Sequence, residues 1–186
     1  MKLKYLLYWA FGLICVALNP VLQFVMRRND PQRHRFYNLA DEIHKAYKDE
    51  DFDKTENLAS EYLKLAERFT QDWNYGNAID TSHQALGLIQ LRRGNVEKAK
   101  KHLIAAGKTP GSPQLDSYGQ QMKLARELLE KGESEVVIRY LNLIAKFLTK
   151  DDMPEFQHLV VEHKALIDQW KSEVKEGRVP NHKQWS

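Results

Sequence analysis

The residues with the most recognisable chemical pattern are Gly107-Lys108-Thr109, which match the last positions of a phosphate-binding loop. That loop also needs a glycine five residues before Gly107, where this chain has His102. It further needs a strand before the loop and a helix after it, whereas residues 95–106 have a helical pattern and two prolines follow. The sequence therefore predicts no nucleotide site, and it predicts that Gly107 ends a helix in the left-handed conformation.

A second group of reactive residues is the histidine and glutamate cluster near the C-terminus. His158 and Glu162 share a helix face, but His163 falls on the apolar stripe, so the spacing is not that of a zinc-binding helix. The single cysteine, Cys15, lies in an apolar run and leaves no nucleophile pair or cysteine metal site. We expect no catalytic residue, metal or cofactor, with a metal-dependent hydrolase built around residues 154–176 as the enzymatic alternative.

The positive charge of the chain is concentrated at its N-terminus. Among its 186 residues the net charge is +3, and the first 35 contain six basic residues against Asp30, so residues 36–186 carry −2. Nucleic-acid-binding proteins instead concentrate basic residues on a folded face. The lysines at 98, 100 and 101 are typical of a solvated helix face. The charge distribution therefore argues against a nucleic-acid partner.

The stretch Tyr5–Met26 contains 22 residues without a charge, or about 33 Å of helix against a hydrocarbon core of about 30 Å. Tyr5 and Trp9 stand where an interfacial aromatic belt would lie, and Arg27 and Arg28 would anchor the other end. We expect a single-pass membrane anchor. The alternatives are a cleaved signal peptide, which lacks a small-residue cleavage site, and a buried core helix. The basic residues after the span favour a cytoplasmic body.

Every organised segment after Pro31 has helical periodicity, which predicts an all-α fold. Apolar residues recur at helical spacing in the stretches 36–47, 58–69 and 156–170. Ser117 and Gln120 have the spacing of a capping box and predict a helix start. We expect an anchor and basic juxtamembrane segment over 1–35, a helical domain over 36–176 and a C-terminal tail over 177–186.

The middle of the chain contains a repeat with an offset of 38 residues. Gly87 and Gly94 correspond to Ala125 and Gly132, and the apolar residues of the following helix correspond as well. A small residue at the first position allows two helices to approach closely, and a glycine at the second reverses the chain. The pattern predicts two consecutive antiparallel helix pairs.

These residues resemble the tetratricopeptide repeat (TPR), which has a period of about 34 residues. Leu86, Gly87, Gly94, Ala99, Leu103 and Ala106 occupy its signature positions when the repeat begins at Asp80. The segments WNYGNAI (73–79) and GKTPGSPQLDSYG (107–119) are also similar to uncharacterised bacterial TPR-like proteins. The resemblance implies a right-handed solenoid of helix pairs, capped by the helix at 154–176. It also implies a bacterial source, and thus an inner-membrane location for the anchor.

The TPR resemblance further implies a concave groove lined by the first helix of each pair. Its positions in this chain are Thr81, Gln84, Leu88 and Leu91 in the first copy, and Gly119, Met122, Arg126 and Leu129 in the second. Such a mixed apolar surface suits a peptide or a partner helix. The alternative is that the fourth helical layer or the apolar N-terminus fills the groove and that Met122 belongs to the core. Asn74 or Asn77 is predicted to cap or brace the loop at 107–119 through backbone hydrogen bonds.

Together these expectations describe a non-catalytic, membrane-anchored TPR-like module that binds an unknown protein or peptide partner in its groove. The lipid bilayer would contact residues 5–26. The alternatives are a periplasm-facing module that acts as a chaperone and the metal-dependent hydrolase.

Overall fold

A computed structural model describes residues 30–148 and 157–185. Within these ranges the chain is entirely helical and has no strand, which confirms the all-α prediction. The chain divides into two compact units, Met1–Leu39 and Ala40–Ser186, and the boundary falls inside the first described helix. In the first unit, Asp30 accepts a hydrogen bond from the backbone N–H of Arg33 (2.9 Å) where that helix begins.

Eight α-helices and one short 3-10 helix make up the described ranges. They are α1 (Pro31–Lys48), α2 (Phe52–Ala66), α3 (Tyr75–Arg92), α4 (Val96–Gly107), α5 (Pro113–Tyr118), α6 (Lys123–Glu130), α7 (Ser134–Leu148), α8 (Gln157–Lys175) and η1 (Lys183–Trp185). The predicted domain boundary at residue 35/36 therefore lies within α1. The predicted anchor at 5–26 lies outside the described ranges, and none of the described helices has the length and apolar character needed to cross a bilayer.

The second unit is built by pairwise packing of neighbouring helices. Helix α3 packs against α2 and α4, α4 packs against α7, and α7 packs against α6 and α8. The repeat positions occupy this core: Ala99, Leu103 and Ala106 of α4 are fully buried, as are the corresponding residues of α7. Burial of this apolar surface supplies the main free energy that holds the helices together.

Three glycines of the repeat have the predicted structural roles. Gly94 and Gly132 have φ angles of +75° and +85°, and each follows a helix at the turn that reverses the chain. At Gly87 a Cβ would overlap the side chain of Leu124 on α6 and meet His102 of α4. The absence of a side chain there allows α3 to approach both neighbours closely.

One expected helix end is confirmed in position but was wrong in conformation, and one expected helix start was wrong. Gly107 is the last residue of α4 and lies outside the left-handed conformation; a Cβ there would stand 2.8 Å from the ring of Tyr140, so the glycine allows α4 to pack against α7. Ser117 lies inside α5 and does not begin a helix. The residue that caps α5 is Ser112, whose hydroxyl accepts a hydrogen bond from the N–H of Leu115 (3.1 Å).

Candidate functional site

The eight predicted groove residues have very different exposures. Thr81, Gly119 and Arg126 are half-buried, whereas the other five are buried: Gln84, Leu88, Leu91, Met122 and Leu129. The four apolar residues of that group belong to the hydrophobic core. Gln84 donates a hydrogen bond to the hydroxyl of Tyr140 on α7 (3.1 Å). Most of the first-copy positions are therefore engaged in helix packing, and in the second copy Gly119 and Arg126 stay partly exposed beside the buried Met122.

The chain's own C-terminal segment, defined here as residues 182–185, covers that second-copy surface. The backbone N–H of Met122 donates to the carbonyl oxygen of Gln184 (2.8 Å), and Nη1 of Arg126 donates to the carbonyl oxygen of Trp185 (3.2 Å). The Gln184 side chain lies against Gly119, where a Cβ would overlap it. Two of the predicted groove residues, Met122 and Arg126, thus hold the segment through its main chain, and Gly119 leaves room for its Gln184 side chain.

Trp185 is the main apolar contact of the C-terminal segment. Its side chain is 1% exposed and packs edge-on against Trp170 of α8, with ring centroids 5.8 Å apart. The ring of His182 lies 5.2 Å from the same Trp170 ring. Aromatic rings buried in this arrangement contribute both apolar area and a favourable ring geometry. Trp185 therefore anchors the end of the described chain on the helical body.

A pocket of about 210 Å³ lies beside the C-terminal segment. Its walls include Gln120, Met122, Ile167 and Trp170, together with His182 from the segment itself. Gln120 is 1% exposed, and neither its amide nitrogen nor its amide oxygen has a hydrogen-bond partner in the described part of the chain. We refer to Gly119, Gln120, Met122, Arg126 and Trp170 as the docking face.

A more open, charged pocket of about 540 Å³ adjoins Arg126 on another side. Arg126 forms an ion pair with Glu130 (2.9 Å) at its rim. Lys123, also at the rim, places its ammonium group 4.8 Å from the centre of the Tyr47 ring, within the range of a cation–π contact. The exposed surroundings of the docking face are therefore rich in charge, while its centre is apolar.

Asn77 braces α3 against the loop at 107–119, but through side-chain partners where backbone hydrogen bonds were predicted. The amide of Asn77 donates both to Asn74 (2.8 Å) and to Gln114 (2.5 Å), and its oxygen accepts from the Ser112 hydroxyl (2.5 Å). The Thr109 hydroxyl donates to the carbonyl oxygen of Gly76 (2.8 Å). Thr109 of the GKT triplet thus has a structural role. The short helix α5 lies within this braced loop.

Two histidines from neighbouring helices meet at the α3–α4 contact. The Nδ1 atoms of His83 and His102 lie 3.1 Å apart. Burial lowers the pKa of both imidazoles, and the neighbouring His102 lowers that of His83 further, to about 4. Two neutral rings can share one N–H···N hydrogen bond, so at neutral pH the pair joins the two helices without a charge.

A buried polar cluster links α3 to α7. Asp80 is buried, and its Oδ1 has no hydrogen-bond partner in the described ranges. Burial raises the pKa of Asp80 to about 7, and a hydrogen bond with Gln84 opposes the shift. Burial likewise raises the pKa of Tyr140 well above its ordinary value. The Asp80 side chain is only 5% exposed, so the cluster is part of the core.

The described ranges contain no group of three or more histidine, cysteine, aspartate or glutamate residues placed to hold a metal ion. In the cluster considered for a hydrolase, Glu162 is exposed and His163 is half-buried, lining the pocket beside the C-terminal segment. Glu162 therefore lies in solvent, whereas His163 lies at the pocket wall.

Sequence reasoning missed the C-terminal segment as part of the candidate site. The available signal was Trp185, a single large aromatic residue in the otherwise polar stretch 177–186. Comparison with protein-family models, curated proteins and solved structures finds no match to this chain.

Proposed function

We propose that this chain is a non-catalytic, TPR-like interaction module that binds a peptide or helix segment of a partner protein at its docking face. In this proposal the helix pairs α3/α4 and α6/α7 are successive repeats of a right-handed solenoid. The 5–26 span holds the module at a bacterial inner membrane with its body in the cytoplasm. Tethering at the bilayer would raise the local concentration of the docking face for membrane partners.

The observation that supports this proposal most strongly is the seating of the C-terminal segment. A short peptide with a 3-10 turn already lies on Gly119, Met122 and Arg126, the second-copy residues that the TPR resemblance assigns to the groove. Two of its contacts use main-chain carbonyl oxygens, which every peptide has. The surface therefore has the chemistry needed to hold a peptide.

Site-specific photo-crosslinking in native membranes tests the proposed function. A photoreactive amino acid at Lys123, which is exposed beside Met122, should yield a discrete adduct with a partner protein. The same amino acid at Arg139, exposed on α7 and lining a different pocket, is the matched control. The proposal predicts an adduct from position 123 alone. No adduct, or the same adducts from both positions, would contradict it.

A further inference from the structure

The C-terminal segment is connected to the body in a way that suits an exchangeable occupant. Helix α8 ends at Lys175, and the five residues from Lys175 to Val179 are exposed. Gly177 has a φ angle of +73°, which turns the chain after the helix. Contacts with the body resume at Pro180, which is buried. A short exposed connection thus precedes a segment whose anchor is one side chain, Trp185.

The fit between the segment and the docking face is incomplete. Nε1 of Trp185 is buried without a hydrogen-bond partner in the described part of the chain, as are both amide atoms of Gln120. Buried polar groups are normally paired, and each unpaired group weakens the association that buries it. A peptide that paired the Gln120 amide, and whose own polar groups were paired, would bind the same face more tightly than the chain's own segment does.

We propose that the docking face recognises a tryptophan-bearing segment of a partner protein and that residues 182–185 are its built-in competitor. This inference rests on the proposed function and specifies the partner. The indole of the partner's tryptophan packs against Trp170, and the backbone carbonyl oxygen of that tryptophan accepts a hydrogen bond from Arg126. The carbonyl oxygen of the preceding residue accepts from the N–H of Met122. A polar side chain of the partner pairs with Gln120, which the chain's own segment leaves without a hydrogen bond.

Competition of this kind has a quantitative consequence. A tethered segment acts at an effective concentration in the millimolar range or above, so a free peptide must overcome it before it binds. Weakening the tethered anchor should therefore strengthen binding of a free peptide. The free peptide should in turn depend on its own tryptophan, because anchors in the centre of an interface contribute most of the affinity.

The test uses a fluorescein-labelled peptide of residues 177–186 (GRVPNHKQWS) and the full-length chain in detergent. Fluorescence anisotropy measures binding to the wild-type chain and to Trp185→Ala. We expect the variant to bind the peptide at least about tenfold more tightly than the wild type. A peptide with alanine in place of its tryptophan should bind the variant at least about a hundredfold more weakly. Lys183→Ala, an exposed change in the same segment, should behave like the wild type.

Several results would overturn the proposal. Equal binding of the two peptides, or binding of neither to a folded Trp185→Ala chain, would show that the site does not select a free tryptophan-bearing segment. If circular dichroism shows that Trp185→Ala is unfolded, Trp185→Phe keeps an aromatic anchor and must still bind the peptide more tightly than the wild type. A concentration-dependent dimer of the wild type that Trp185→Ala abolishes would identify a second copy as the occupant.

Failure of this inference can be separated from failure of the proposed function. The peptide experiment needs no cellular partner, and the crosslink at Lys123 needs no tryptophan. An adduct at position 123 together with a negative peptide result would retain the interaction module and remove its tryptophan specificity. If the peptides bind as expected but no adduct forms at position 123, the docking face selects a tryptophan-bearing peptide, and the proposed partner protein is contradicted.

Discussion

Replacing Asp80 by asparagine should stabilise the protein above neutral pH and leave its stability near pH 4 almost unchanged. The carboxyl lies in the core between α3 and α7, and asparagine has nearly the same shape without the ionisable group. The side chain is only slightly exposed, and its Oδ1 has no partner in the described ranges. The variant therefore removes a buried charge while keeping the packing.

The magnitude follows from the pKa of Asp80, which burial raises from its usual 3.8 to about 7. Below about pH 4 the carboxyl is protonated in both the folded and the unfolded chain. Between pH 4 and 7 the unfolded chain releases the proton while the folded chain retains it, so the free energy of unfolding falls as pH rises. Each pH unit costs about 1.4 kcal/mol, and the full loss above pH 7 is about 4 kcal/mol.

Urea unfolding followed by circular dichroism at pH 4.5 and pH 8 measures this difference. Asp80→Asn should exceed the wild type by up to about 4 kcal/mol at pH 8 and by only about 1 kcal/mol at pH 4.5. Asp49→Asn, which changes an exposed residue after α1, is the control and should show no such pH dependence. The same difference at both pH values, or a less stable Asp80→Asn at pH 8, would refute the explanation by burial.

Three further predictions concern helix packing, capping and the histidine pair. Gly87→Ala places a methyl group in the space of the Leu124 side chain, and urea unfolding should show a loss of roughly 1–3 kcal/mol. Ser112→Ala removes the cap of α5 and should cost about 1–2 kcal/mol by the same assay, whereas the exposed Ser60→Ala should be nearly neutral. In an NMR titration His83 should gain its proton near pH 4. Because the unfolded chain takes up this proton near pH 6.5, the free energy of unfolding should fall as the pH is lowered from 6.5 towards 4. A titration midpoint near 6.5 would contradict the burial of the pair.

The helical repeat could be predicted because its cause is local. Apolar spacing of three and four residues specifies a helix face, and a glycine such as Gly94 or Gly132 marks a turn that other residues adopt only with strain. Gly87 was identifiable for a related reason, since a small residue in an apolar helix predicts close packing. The structure places all three glycines in these roles.

The capping roles of two residues, Gly107 and Ser117, were assigned wrongly because they depend on contacts that the local sequence pattern does not contain. Gly107 resembles a C-terminal cap, yet its role is to make room for the Tyr140 ring, which is 33 residues away in sequence. Ser117 has the spacing of a capping box, but Ser112 and the following proline provide a better start five residues earlier. Local capping signals compete, and tertiary contacts such as the Asn77 hydrogen bond to Ser112 decide between them.

The C-terminal segment shows why the candidate site was only partly predictable. The TPR resemblance named Gly119, Met122 and Arg126 among the predicted groove residues, but it gave no indication of the C-terminal segment that contacts them, because main-chain carbonyl oxygens give no sequence signal. Arg126 reaches Trp185 across 59 positions of sequence. The burial of Leu88 and Leu91 could not be predicted either, because the sequence alone does not distinguish a leucine in a groove from a leucine in a core.

Hydrogen exchange at the amide of Met122 in the wild-type chain, followed by NMR or mass spectrometry, tests whether the C-terminal segment is a replaceable occupant. This amide donates to Gln184, so it exchanges when the C-terminal segment leaves the docking face. We expect the protection of the Met122 amide to be at least about tenfold lower than that of Leu141, which lies fully buried in the core on α7. Equal protection of the two amides would mean that the segment leaves only when the whole unit unfolds, and would contradict a replaceable occupant.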